Sequence, residues 1–360
     1  MSWQEALRGR ADEVKTKKLT VGFDGFVDTI YRPVKEAAGA GAAARPFGTI
    51  REFGEYLITK AEKSCSIQMI TQARRLGGNM PNLSNAAGTL GLHVNCIGML
   101  GDVKKPDRIF SPMPCRLYSF MQPGQSTCLE FSDGKVFLAP EFPADENLWQ
   151  SVLEATDGQA SDLFWQSDLM ALVNWAELPF SYGLWKKVLT TAPDGAEDRS
   201  RHAFFDLCDV SSRSAGELEQ VLELVGAFSG KRTTILSLNE NEALVAADKL
   251  LPGVTELLEI AGRLRSRFGI DEIIIHTIRE TLLATSRGVS RQVTSFVEHP
   301  RISTGAGDNF NGGFCFATIM GLADGDRVAF ANTYAHTYIV KGSSPSLYEL
   351  YSGADRGEPG

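Results

Sequence analysis

Asp308 follows a run of small residues, in the segment Arg301-Ile302-Ser303-Thr304-Gly305-Ala306-Gly307-Asp308-Asn309-Phe310-Asn311-Gly312-Gly313-Phe314. An apolar stretch from Phe314 to Met320 comes next, so the segment reads as a tight turn opening into a helix. Such a turn lets several backbone N–H groups converge on one spot, where the helix dipole adds partial positive charge. An anion belongs there, with the Asp308 carboxylate beside it. The amides of Gly305, Ala306 and Gly307 would form the cradle. An anion cradle next to a carboxylate is what phosphoryl transfer to a hydroxyl group requires: charge stabilisation, positioning and a proton acceptor.

Two familiar phosphate-binding loops are excluded by context. A dinucleotide fingerprint needs a preceding strand and a small third residue, but Glu298-His299-Pro300-Arg301 precedes this turn and Phe310 fills the third position. Gly226-Ala227-Phe228-Ser229-Gly230-Lys231-Arg232 lacks Walker A spacing and ends in Arg.

More polar residues sit where strands should end. Gly22-Phe23-Asp24-Gly25-Phe26-Val27-Asp28 carries two carboxylates past an apolar strand, and either could accept hydrogen bonds from sugar hydroxyls or cap a turn. In Leu76-Gly77-Gly78-Asn79-Met80-Pro81-Asn82 the glycines permit close backbone approach, and Asn79 and Asn82 offer both donors and acceptors. An ordinary helix start with Asn79 as N-cap fits the same residues. Ser237-Leu238-Asn239-Glu240-Asn241-Glu242 has the form of a capping box, Asn239 to Glu242.

The elements that must position these residues follow from periodicity. Lys18 to Val27 reads as a strand, Asn79 to Leu90 as a helix, and Val94 to Met99 as a buried strand. Segments 117–121, 127–131 and 136–138, joined by Pro123-Gly124 and Asp133-Gly134, read as hairpins. Beyond residue 145, strands near 169–174, 203–207, 234–238 and 272–276 alternate with helices from Ser181, Ala215, Glu240 and Val254. This alternation predicts a mostly parallel sheet with helices on both faces. Arg327 to Val340 reads as a further helix, ended by Gly342, and the Ala/Gly-rich stretch 39–46 as a loop.

Composition sets the outer bounds. With 360 residues, 43% hydrophobic and 22% charged, the chain has the make-up of a folded protein. A net charge of −8 argues against nucleic-acid and anionic-membrane partners. No apolar run nears the ~20 residues of a spanning helix. Scattered cysteines without CxxC spacing and five unclustered histidines give no metal or disulfide signature, so a reduced, cytoplasmic protein is expected and Cys315 is read as core.

From about residue 18 to 345 the chain resembles the ribokinase-like (PfkB-type) carbohydrate kinases, on the strength of the Gly305-Ala306-Gly307-Asp308 motif combined with the Gly77-Gly78-Asn79 and Asn239-x-x-Glu242 elements. The resemblance implies a single three-layer α/β/α domain over 1–360, with a mostly parallel central sheet and a small β lid drawn from about 28–56 and 112–139. It implies ATP-dependent phosphorylation of a small sugar or related alcohol, with Asp308 as general base. Asp28, with Asp24 as rival, would bind the acceptor together with Gly78, Asn79 and Asn82. Glu242 would act on a nucleotide-bound Mg²⁺, while Asn239, Thr304 and Asn332 would border the nucleotide. Homodimers through the lid are also implied. Two departures stand out. Ile302-Ser303 replaces the family's usual Asp-Thr, which removes a monovalent-cation ligand, and His276-Thr277-Ile278-Arg279-Glu280-Thr281 replaces a glycine-containing nucleotide segment. A nucleoside kinase and a non-catalytic sensor of the same fold are the alternatives.

Overall fold

Leu169-Met170-Ala171-Leu172-Val173 contains no polar residue, and its side chains divide between two cores. Met170 and Leu172 pack on one side, and Leu169, Ala171 and Val173 on the other. That is the behaviour of a central strand covered on both faces. The computed structural model describes residues 2–39, 43–142, 147–298 and 300–354. Part of the 39–46 segment and His299 therefore lie outside the described residues.

The first strands are β1 (Lys18–Phe23), β2 (Phe26–Glu36), β3 (Arg45–Pro46), β4 (Met69–Gly77) and β5 (His93–Gly98). After them come β6 (Arg116–Ser119), β7 (Gly124–Phe131), β8 (Gly134–Leu138), β9 (Leu169–Val173), β10 (His202–Asp206) and β11 (Thr233–Asn239). An antiparallel edge closes the series with β12 (Glu272–His276), β13 (Glu280–Thr285) and β14 (Gly288–Val293). Nine of them form one sheet in the order 14-13-12-11-10-9-1-5-6, and the pairs from β12 through β1 to β6 are all parallel.

Helices that matter for the site are α1 (Asn79–Thr89), α2 (Ala215–Ala227), α3 (Glu240–Leu250), α4 (Leu257–Phe268), α5 (Ala306–Ile319) and α6 (Asp324–Lys341). The core on one face draws on α2, α3 and α4, and the core on the other draws on α1, α5 and α6. The three layers implied by the resemblance are present. Chain order reverses where β1 lies between β9 and β5, which is where open α/β sheets leave a crevice beyond the strand ends.

A second, small sheet pairs β8-β7-β2-β3, with β4 added to β2. Its own core is Phe47, Leu129 and Phe131, backed by Tyr31, Ile50, Phe53, Tyr56 and Val136. Three expectations need correction. The strand read over 18–27 breaks at Asp24-Gly25, because a Cβ at Gly25 would sit 2.1 Å from the Met99 carbonyl oxygen and the chain turns there. Arg116–Ser119 pairs in parallel with β5 in the large sheet, so Pro123-Gly124 carries the chain between the two sheets and closes no hairpin. Strand β4, largely exposed and rich in polar residues, gave no alternating pattern and was read as no element at all. The described cysteines are all free, and no described helix is long and apolar enough to cross a membrane.

Candidate active site

Helix α1 begins without a side-chain cap of its own. Its N-cap is Gly78 at φ 92, a left-sided conformation that glycine adopts without strain. The exposed first-turn amides are satisfied from another element: Asp24 accepts from Asn79 N at 2.7 Å, from Met80 N at 2.7 Å and from Asn174 Nδ2 at 2.9 Å. Asp24 is fully buried. Burial first, with Glu177 adding repulsion, pushes its carboxyl up to about 7, against the pull of those three bonds. Both expectations at this point are therefore revised. Asp24 is a sealed brace for α1 and not an acceptor ligand, and Asn79 is the first helical residue and not the cap.

Asp28 is half-buried on β2, beside a cavity of about 490 Å³ that is also lined by Arg74, Arg75, Asn82, Asn85 and Tyr338. Ser126 donates a hydrogen bond to it, and burial, the largest influence, raises its carboxyl. The glycine pair serves both acids. A Cβ on Gly77 would lie 2.4 Å from the Asp28 carboxyl, and one on Gly78 would lie 2.6 Å from Asp24. Gly77, and not the Gly78 expected to meet the acceptor, is thus the glycine against the cavity acid. Asn82 lines the cavity and donates to the Gly78 carbonyl at 2.9 Å, whereas Asn79 does not line it. Asn85, three residues after Asn82 on the same helix face, was also missed; its i, i+3 spacing was the available signal.

The 301–308 turn forms the boundary between this cavity and a second one. Ile302 and Thr304 face the first, and Ser303, Ala306 and Gly307 face the second, which encloses about 500 Å³. Gly305 is the N-cap of α5 at φ 81, and a Cβ there would stand 3.0 Å from the Tyr338 hydroxyl. Among the described residues the amides of Gly305, Gly307 and Asp308 have no hydrogen-bond partner. The Ala306 amide donates to Ser303 O at 3.2 Å, so it is not free as expected, and the Asp308 amide stands in its place. Asp308 is half-buried in the first turn of α5. It makes no ion pair among the described residues, and Asn82 lies near enough to lower its carboxyl somewhat against the stronger influences. Burial, followed by repulsion from Asp206 and Asp24, holds that carboxyl well above the usual carboxylate range. Thr304, expected beside a nucleotide, lies instead on the Asp28 side, where Lys135 Nζ donates to its hydroxyl at 3.0 Å.

The second cavity is mostly apolar, bounded by Ile278, Phe296, Val297, Phe310 and Ile339. Asn239, His276 and Asn332 add polar atoms to its wall. Asn332 Oδ1 accepts from Thr281 at 2.8 Å, but its buried Nδ2 has no partner. This unpartnered donor is therefore sealed in the cavity wall and does not open onto the cavity itself. His276 packs on Phe310 with ring centroids 4.7 Å apart, and burial lowers its imidazole to about 4, so it is neutral near pH 7. Residues 276–278 and Thr281 thus line the cavity and leave it open.

The capping box of α3 is present. Glu242 N donates to Asn239 Oδ1 at 2.9 Å, and Glu242 accepts from Asn239 N and Nδ2 at 2.9 and 2.6 Å. Glu242 is buried, and burial plus repulsion from Asp206 raises its carboxyl. Asp206, at the end of β10, accepts from Asn311 Nδ2 at 2.6 Å, and Asn311 in turn accepts from Ser237 at 2.8 Å. The sequence reading did not single out Asp206, because nothing local marks one strand-end acid among several. No group of three or more His, Cys, Asp or Glu that could hold a metal ion occurs among the described residues.

Comparison with known proteins agrees with this geometry. A sequence model of the family described as prokaryotic ketohexokinase matches residues 3–356. The chain is 26% identical over 362 aligned positions to a ketohexokinase of Haloferax volcanii, covering 97% of this chain and 93% of the relative. An adenosine kinase from Sinorhizobium meliloti superposes with a TM-score of 0.66 at 18% identity, over 95% of this chain and 99% of the other. A ribokinase from Arabidopsis thaliana, solved with ribose and ATP, gives 0.61 at 15% identity, over 93% and 97%.

Proposed function

Because the chain belongs to the prokaryotic ketohexokinase family, and so is a carbohydrate kinase, we propose that it transfers the terminal phosphoryl group of ATP to a hydroxyl of a ketohexose. One observation carries this reading. Three unpartnered amides and a half-buried carboxylate stand at one helix start, between a polar cavity holding Asp28 and an apolar cavity holding Asn332. The sugar occupies the polar cavity, bonded by Asp28, Asn82 and Asn85. The nucleotide base occupies the apolar cavity, against Phe310 and Ile339 and beside Asn332.

Asp308 takes the proton of the attacking hydroxyl as the new O–P bond forms and the bond to the ADP oxygen breaks. The amides of Gly305, Gly307 and Asp308 face the charge on the moving phosphoryl. The small sheet, acting as the lid, keeps water out. The lid is drawn from β2, β3, β4, β7 and β8, so its second part starts at residue 124 rather than 112. Divalent magnesium suits this edge, since it needs few direct carboxylates and keeps its own waters. Glu242 and Asp206, two buried acids of which the second raises the first, are where its charge would be felt, and it would neutralise the triphosphate. A cytoplasmic location and pairing of two chains through their small sheets complete the proposal.

The test is ADP release across ketohexoses, aldoses, sugar acids, polyols and nucleosides, with phosphorylated product identified. Ketohexoses should lead the panel. In Asp308→Asn, kcat should fall by about 10²–10⁴ through loss of the base, with acceptor affinity nearly unchanged. A preference for nucleosides, or turnover near that of the parent in Asp308→Asn, would overturn the assignment.

A further inference from the structure

Lys135 stands out among the basic residues near the cleft. It sits on β8 of the small sheet, yet its ammonium reaches the start of α5, 3.0 Å from the Thr304 hydroxyl and one residue from the Gly305 N-cap. Its side chain is only 21% exposed, and Glu130 holds it from the neighbouring strand at 3.1 Å. It also acts on Asp28, favouring the ionised carboxylate against burial. Arg74 and Arg75 line the cavity that holds Asp28 but are exposed on β4, and Arg74 pairs at 3.8 Å with Asp107. Among the described residues no side chain of Lys or Arg other than Lys135 bonds to the 303–308 turn.

Charge makes this position consequential. Asp24, Asp28, Asp206, Glu242 and Asp308 all lie in or beside the cleft, and burial raises every one of their carboxyls. Bringing a triphosphate into such surroundings adds negative charge to a site already short of positive charge. Three neutral amides give partial compensation only. A lysine carried on the small sheet brings a full charge to the turn where the amides bring only partial ones.

We propose that Lys135 is a further catalytic residue, a cation carried on the small sheet that leaves Glu130 and Thr304 for the oxygens of the transferring phosphoryl group. The proposal rests on the kinase reading above. The ammonium keeps its protons throughout; the acceptor proton goes to Asp308 and the leaving electron pair to ADP. A charged donor aimed at phosphoryl oxygens acts most where charge moves between donor and acceptor, so it should affect kcat more than binding.

The experiment uses the full chain with Lys135→Met and Lys135→Arg. Thermal melts establish that both variants fold. For each, kcat and KM are measured with the best ketohexose and ATP. Affinity is then measured for ADP alone and for ADP with aluminium fluoride, which mimics the phosphoryl in flight. Lys135→Met should lower kcat about 10²-fold, on the scale of one lost transition-state donor, and weaken the fluoroaluminate complex similarly. Binding of ADP alone should stay within about threefold, because that complex lacks the moving charge. Lys135→Arg should recover most of the loss. The proposal is overturned if Lys135→Met keeps kcat while raising KM, which marks a mere latch, or if the two variants fall equally. A parent that transfers phosphoryl to no acceptor refutes the kinase reading instead. The fluoroaluminate arm still reads Lys135 independently of the acceptor.

Discussion

Asp308 combines two properties that pull in opposite directions. As the proposed base it must be ionised to accept a proton, yet burial and the neighbouring acids Asp206 and Asp24 raise its carboxyl above the ordinary range. A raised value makes the carboxylate a stronger base once formed and postpones its formation to higher pH. The acid limb of kcat/KM should therefore lie above the ~4 of a free carboxylate. Asp206→Asn removes the larger of the two repulsions and should move that limb to lower pH, as read from a rate profile over pH 4 to 9. A limb that stays in place would mean that another group controls it.

At the scale of elements, helix α1 and strand β2 divide two acids that look alike in sequence. Asp24 accepts three hydrogen bonds inside a sealed core, whereas Asp28 faces a cavity. Asp24→Ala should cost about 2–5 kcal/mol, because it strands two helix-start amides and the Asn174 amide group. Asp28→Ala should leave the melting temperature nearly unchanged and raise the acceptor KM. The pH dependence adds a sign. The Asp24 carboxyl is raised in the folded state, so its contribution is complete below the unfolded value near ~4 and fades as pH rises through about 7. The stability gap between parent and Asp24→Ala should therefore be wider at pH 5 than at pH 8 in denaturant titrations.

Across the whole molecule, two sheets with separate cores allow one to move while the other stays fixed. The large sheet carries Asp206 and Asn239 and is covered by α5, which carries Asp308, and the small sheet carries Asp28 and Lys135. Phe47 anchors the small core, with rings of Phe53 and Tyr56 at 5.2 and 5.1 Å. Phe47→Ala should destabilise that core locally by about 3–5 kcal/mol and leave the main thermal transition in place. Water should then compete with the sugar, so ATP hydrolysis should rise relative to sugar phosphorylation. An unchanged ratio would show that the small sheet does not seal the site.

Much of this was legible along the chain. The Gly305–Asp308 turn, the alternating strands and helices after residue 145, and the Asn239–Glu242 box depend on contacts within a few residues, and local pattern reports them directly. Assigning partners across distance was another matter. Asp24 caps a helix that starts 55 residues later, Gly77 is small because Asp28 approaches it, and Thr304 lines the Asp28 cavity, where Lys135 meets it from the other sheet. Strand β4 was invisible because its exposed face follows no apolar alternation. Short-range chemistry is written in neighbouring residues, but burial and charge pairing are properties of surfaces that meet when the two sheets fold together.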